Sequence, residues 1–169
     1  GLYDPDGLDI PSLFDYNYKH RTIDGFEQGK KITNDELLAL ECDFLIPAAL
    51  GSAIHNQNVD TLNCKVIIEA ANGPVTGDAA NKLWDKKIGI IPDILTNAGG
   101  VTVSYFEWVQ NLQQFKWEEE DVNNKLEKKM VEAFNEVYTM KTSENVPMRI
   151  ASFMVAIDRV ERAYNLREG

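Results

Sequence analysis

Three short apolar runs constrain this chain more than any other feature: Phe44-Leu45-Ile46, Val66-Ile67-Ile68 and Ile88-Gly89-Ile90-Ile91. Each is bulky or β-branched, and none alternates with polar residues. Such runs read as strands of a parallel sheet buried on both faces. Between the second and third lies Asp78 to Lys87, helical in character, with Leu83 and Trp84 apolar. Strand, helix, strand at this spacing predicts a βαβ unit, and the fold class it predicts is α/β with a doubly wound parallel sheet.

The flanks carry local signals. Asp4-Pro5-Asp6-Gly7 is a turn, and Asp9 with Pro11 is a helix entrance ahead of Leu13, Phe14 and Tyr16 or Tyr18. Thr33-Asn34-Asp35-Glu36 fits a capping box, so a short helix through Leu37, Leu38 and Leu40 follows. Gly51 to Asn63 has room for one helical turn or two. A helix is expected from about Val101 to Gln114. Beyond it, Val122, Leu126, Met130, Phe134 and Val137 step by three or four residues, as do Ile150, Phe153, Ile157, Val160 and Tyr164. Both stripes are expected to be core faces. Glu118 to Asp121 is a solvated acidic first turn, and Pro147 stands at a helix start.

Composition excludes several function classes. The net charge of −10 repels a phosphate backbone, which argues against nucleic acid as a partner. No apolar run approaches the ~20 residues that span a bilayer, so no membrane is expected either. The start, Gly1-Leu2-Tyr3, lacks the basic and apolar regions of a signal peptide and an initiating Met. Cys42 and Cys64 form no disulfide framework and are expected as buried thiols in a reducing, cytoplasmic setting. His20 and His55 give no zinc spacing, and no metal site is expected.

Chemistry is expected where the strands end. In a doubly wound sheet, ligands sit outside the carboxyl ends of the strands. Those ends read Pro47-Ala48-Ala49, Asn72-Gly73-Pro74 and Asn97-Ala98-Gly99-Gly100. Small residues allow close backbone approach, and asparagines offer donors and acceptors suited to a carboxamide or a ribose hydroxyl. The double glycine opens a helix, exposing free amides. Ser104 and Tyr105 lie on that helix's first turns. Asp93 is expected as a structural acceptor that braces the loop after it. No G-x-G-x-x-G phosphate loop is present.

These segments carry a resemblance. The run from Asn97 to Asn111 (Asn-Ala-Gly-Gly-Val-Thr-Val-Ser-Tyr-Phe-Glu-Trp-Val-Gln-Asn) resembles the signature of the glutamate dehydrogenases, of the Glu/Leu/Phe/Val dehydrogenase family. Tyr3 to Asp9, Ile46 to Leu50, Glu69 to Pro74 and Ile91 to Leu95 match in the same order. The continuation Ser104-Tyr105-Phe106-Glu107-Trp108 favours glutamate over branched-chain substrates. The resemblance implies oxidative deamination of L-glutamate to 2-oxoglutarate and ammonia with NAD or NADP, in a homo-oligomer, usually a hexamer. It implies a partial Rossmann-like sheet of about three strands, the first strands missing, with a C-terminal helical segment. Residues 1–142 would be the later part of the NAD(P)-binding domain, and 143–169 a C-terminal helix packing back towards the domain interface.

Carried over by residue, the Ala48-Ala49 backbone would line the adenosine-ribose side of the coenzyme site. Asn72 would approach the nicotinamide ribose and Asn97 the carboxamide. Val101 and Ser104 would lie against the substrate, with the Ser104 hydroxyl on its γ-carboxylate. Nothing here matches the family's catalytic Lys and Asp, so the chain alone is expected to be inactive. A non-catalytic nucleotide-binding or oligomerisation module is the alternative. One departure stands out: the family's Gly-Pro-Thr-Thr-Pro-Glu-Ala reads Gly73-Pro74-Val75-Thr76-Gly77-Asp78-Ala79 here, with Thr76 still able to cap a helix.

Overall fold

The computed structural model describes residues 1–168, and of Glu168 the backbone alone. Gly169, the last residue of the expected segment 143–169, lies outside the described residues. The chain forms two compact units, one of residues 1–41 with 61–63, the other of 42–60 and 64 onwards.

In the first unit, β1 (Leu2–Tyr3) pairs antiparallel with β2 (Lys30–Lys31). The turn before α1 (Ile10–His20) closes with Gly7 at φ 90°. Asp9 caps α1, its carboxylate accepting from the Ser12 amide at 3.2 Å and the Ser12 hydroxyl at 2.6 Å. The capping box at Thr33 is complete: Glu36 N–H donates to Thr33 Oγ1 at 3.2 Å, and Thr33 N–H to Glu36 Oε2 at 2.7 Å. It opens α2 (Asn34–Leu38).

In the second unit the sheet runs β3 (Glu41–Leu45), β4 (Asn63–Ile68), β5 (Gly89–Ile91), in that order and parallel. Helix α3 (Gly77–Asp85) joins β4 to β5, whose register pairs Val66 with Gly89 and Ile68 with Ile91. Ala79 and Leu83 are its buried face. Thr76 sits at the N-cap of α3, but its side chain makes no capping bond. The expected turns between Gly51 and Asn63 reduce to one 3₁₀ turn, Val59–Thr61. Among the described residues, no helix is long and apolar enough to cross a membrane.

The helices that follow are α4 (Asp93–Thr96), α5 (Ala98–Gln113), α6 (Glu119–Glu144) and α7 (Met148–Glu168). Helix α5 starts three residues before the expected Val101, because Asn97 lets α4 pass into α5 without a loop. Helix α7 packs on α6, β5 and α4. Leu95, Val137, Met148, Ala151 and Val155 form the core there, with Ile91, Ala133, Met140 and Val146 against it.

Three expectations need correction. Ile150, Phe153, Ile157, Val160 and Tyr164 are not a core face; they are between 46% and 70% exposed. The smaller stripe Met148, Ala151, Ser152 and Val155 is buried instead, since small side chains let α7 approach its neighbours closely. The strands are not buried on both faces either. Phe44 and Ile46 are exposed at the edge strand, and only Ile67 of β4 is fully buried. Cys42 and Cys64 are half-buried free thiols, both pushed up by that burial.

The burial pattern makes a stability prediction. Leu83→Ala should cost about 2–5 kcal/mol, as a fully buried leucine does. Ile157→Ala should change stability by no more than about 0.5 kcal/mol. Urea unfolding midpoints check both, and a large loss at Ile157 would contradict the exposed face of α7.

Candidate functional site

The carboxyl ends of β3, β4 and β5 carry the three loops singled out by sequence. Backbone bonds lock the first two to one another, and the third joins them through a side chain. Ala71 N–H donates to Pro47 O at 2.9 Å, which ties the β4 end to the β3 end. Ser52 N–H reaches Gly73 O at 2.8 Å, Ile54 N–H reaches Pro74 O at 2.9 Å, and Thr76 N–H returns to Ile54 O at 3.0 Å. Gly51 is needed here: a Cβ would stand 3.1 Å from the Asn72 carbonyl oxygen. Gly73 is needed for a different reason, its φ of +56°.

The two asparagines meet. Asn97 Nδ2 donates to Asn72 Oδ1 at 2.6 Å, and both residues are exposed. That bond leaves Asn72 Nδ2 as a donor and Asn97 Oδ1 as an acceptor for a ligand, with the amide orientations set by the pair itself. Asn97 also precedes α5, whose first turn holds Gly99 and Gly100. A Cβ at Gly100 would meet nothing within 4 Å, and one at Gly99 would make an ordinary contact at 3.9 Å with Leu126. Neither φ is positive. The fold of this chain therefore has no use for glycine at 100, while a ligand lying against the helix start would.

Ala48 and Ala49 are exposed on the loop after β3. Val101, 70% exposed, and Ser104 lie on the first turns of α5. The Ser104 hydroxyl donates back to Gly100 O at 3.1 Å, a bond it can exchange for a ligand oxygen. His55 and His20 hold local roles: His55 Nδ1 accepts from Gln57 N–H at 3.3 Å, and His20 stacks on Tyr16. Among the described residues, no three His, Cys, Asp or Glu side chains converge to hold a metal.

Behind these loops lies a charged cluster that sequence reasoning reached only through Asp93. Glu69, at the end of β4, is fully buried. Its Oε2 accepts from Asp93 N–H at 2.9 Å and from Nη2 of Arg149 on α7. Arg149 Nη1 donates to Asp93 Oδ1 at 2.8 Å. Asp93 Oδ2 accepts from Gly73 N–H at 2.7 Å, and Oδ1 also accepts from Ile94 N–H at 2.8 Å. Glu69 Oε1 is buried without a hydrogen-bond partner by distance and angle among the described residues, and the Val75 amide lies near enough to the carboxyl to pull its pKa down. A glutamate directly after an apolar strand, and an arginine at the positive end of a helix, were the sequence signals for this cluster.

Burial pushes the Glu69 carboxyl above its ordinary value, against the pull of the Asp93 amide and Arg149. Burial pushes Asp93 up as well, but the Gly73 and Ile94 amides and Arg149 outweigh it and hold Asp93 below 3.8. The signs differ. Asp93 adds stability above its unfolded value, lost as pH falls through the lower folded one. Glu69 adds stability below its unfolded value, lost as pH rises through the raised folded one. Asp93→Asn should therefore flatten the fall of stability below about pH 4 relative to the parent chain. Denaturant midpoints across the acid range test this, and parallel curves would remove Asp93 from the acid limb.

The chain is similar to known proteins along almost all of its length. Residues 1–168 match the family described as Glutamate/Leucine/Phenylalanine/Valine dehydrogenase. The chain is 49% identical over 167 residues to a glutamate dehydrogenase of Thermotoga maritima, covering 99% of this chain and 40% of that protein. It is 47% identical to a cryptic catabolic NAD-specific glutamate dehydrogenase of Bacillus subtilis, covering 99% of this chain and 39% of that one. Its fold matches the hetero-hexameric glutamate dehydrogenase of Thermus thermophilus in a Leu-bound form. That match has a TM-score of 0.90 and 26% identity, over 99% of this chain and 39% of that one. The chain thus spans about 40% of the length of the curated relatives it matches.

Proposed function

The chain belongs to the Glutamate/Leucine/Phenylalanine/Valine dehydrogenase family, and we propose that it is the later part of the coenzyme domain of a glutamate dehydrogenase. The intact enzyme oxidatively deaminates L-glutamate to 2-oxoglutarate and ammonia with NAD or NADP, as a cytoplasmic homo-oligomer, a hexamer by family. The observation that carries this reading is the Asn72–Asn97 pair beside a helix start whose Gly100 the fold does not require. Identity of 49% to a glutamate dehydrogenase supports glutamate over the family's other substrates.

Residues 1–142 serve as the coenzyme-domain portion and 143–169 as the C-terminal segment returning to the domain interface. The backbone at Ala48 and Ala49 borders the adenosine ribose. Asn72 Nδ2 donates to the nicotinamide ribose, and Asn97 Oδ1 accepts from the carboxamide. When bound, the coenzyme supplies a hydride acceptor. Val101 and the Ser104 hydroxyl contact the substrate side chain, Ser104 at its γ-carboxylate. Gly99 and Gly100 keep the helix start open and present its amides, whose partial positive charge suits anionic groups. The family's catalytic Lys and Asp have no counterpart here, so these residues bind and orient.

Two outcomes follow. The purified 169-residue chain should give no glutamate-dependent NADH production. Gly100→Ala should stabilise the chain, by no more than the about 1 kcal/mol that alanine gains over glycine in a helix interior, while weakening NADH binding. Thermal unfolding and an NADH fluorescence titration measure the pair. Unchanged NADH affinity in Gly100→Ala, or no NADH binding by the parent chain, would overturn the reading.

A further inference from the structure

Arg149 stands at the second residue of α7, where the helix dipole disfavours a cation. Its side chain is 30% exposed, less than that of any other salt-bridged arginine or lysine in the described residues. Such a placement needs compensation, and two carboxylates provide it. Glu69 belongs to the end of β4 and Asp93 to the turn after β5. One planar guanidinium therefore holds two strand ends through two different nitrogens, a geometry a lysine cannot copy.

The connection continues forward. Asp93 Oδ2 holds the Gly73 amide, and Gly73 follows Asn72. The Asp93 carbonyl accepts from Asn97 N–H at 3.0 Å. Asp93 thus touches the backbone beside one asparagine and the backbone of the other, while Asn72 and Asn97 bond through their side chains. The Asp93 carboxylate is held jointly by the Gly73 amide, the Ile94 amide and Arg149, while its own amide is held by Glu69.

We infer that Arg149 is a positioning residue for the nicotinamide half of the candidate site, acting through Asp93 and Glu69 on the Asn72–Asn97 pair. The inference rests on the coenzyme reading above. Ala48 and Ala49 make none of these side-chain bonds: their loop meets the relay only through backbone, Ala71 N–H on Pro47 O and Ser52 N–H on Gly73 O. The adenosine half should therefore respond less to Arg149 than the nicotinamide half. A purely structural arginine would weaken both halves together.

The test compares Arg149→Lys with the parent chain by NMR, using nicotinamide mononucleotide and adenosine monophosphate as separate probes. Lysine keeps the charge that Glu69 and Asp93 need but not the fork. The expected result is about tenfold weaker binding of the nicotinamide probe, in line with the effect of small misplacements, and a clearly smaller loss for the adenosine probe. In the ligand-free chain the Gly73 amide and the Asn72 and Asn97 side-chain amide resonances should move. Equal weakening of both probes, or no weakening, or unmoved resonances, would overturn the inference. If the parent chain binds neither probe, the coenzyme reading fails, and the ligand-free resonances still decide whether Arg149 sets the pair. Should Arg149→Lys not fold, Asp93→Asn breaks the same relay from the loop side and should give the same split.

Discussion

Glu69 is a carboxylate with no exposed surface, and much of the second unit is arranged around that fact. An isolated charge in such a place costs several kcal/mol, and removing the partner of a buried pair typically costs about 3–5 kcal/mol. The chain offsets part of that cost with Arg149 and the Asp93 amide, which come from α7 and from the start of α4. The end of β4, the turn after β5 and the first turn of α7 are thereby held at one point. The apolar cluster of Leu95, Val137, Met148, Ala151 and Val155 packs the same helices. That cluster supplies non-directional burial; the ionic cluster supplies direction, because a guanidinium fork accepts few geometries.

Fold and site divide their use of glycine accordingly. Gly51 and Gly73 serve the fold, one by close approach to the Asn72 carbonyl and the other by its left-handed backbone. Gly100 serves neither, since its missing side chain would meet open space. Alanine is the better helix former at such a place. The glycine's presence beside two exposed asparagines that already bond one another is the observation on which the proposed coenzyme site rests.

What could be read in the sequence was local. The Asp9 cap, the Thr33 box, the βαβ spacing and the strand-end loops each depend on residues within one or two turns of each other. Asp93 was legible as an acceptor because it follows a strand directly. Its cation was not, because Arg149 lies 80 residues beyond Glu69 and nothing local pairs them. The face of α7 failed for another reason. Periodicity offers two stripes there, and hydrophobic bulk favoured Ile150 to Tyr164, whereas close helix packing selected Met148, Ala151 and Val155. Strand exposure failed similarly: β-branched runs announce a sheet, but whether both faces are covered depends on what else packs there. The asparagines were expected at one sheet edge; that they bond to each other rests on side-chain geometry no spacing encodes.

The departure at Val75-Thr76-Gly77 shows how such a site tolerates change. Where the family pattern that the sequence resembles has a proline, which stiffens a turn through its fixed φ, this chain has Gly77, the first residue of α3. The Thr76 side chain does not compensate, as it makes no capping bond. Stiffness comes instead from the backbone bridge between Ile54 and Val75 and the bonds on either side of it, from Ser52 to Gly73 and from Thr76 to Ile54. Ile54 is fully buried and Val75 nearly so, which keeps that bridge dry and strong. The glycine is therefore flexible at a position already clamped from the residue before it. Asn72 is held from one side by this bridge and from the other by Asp93, so the loop can lose a proline without losing the orientation of its asparagine.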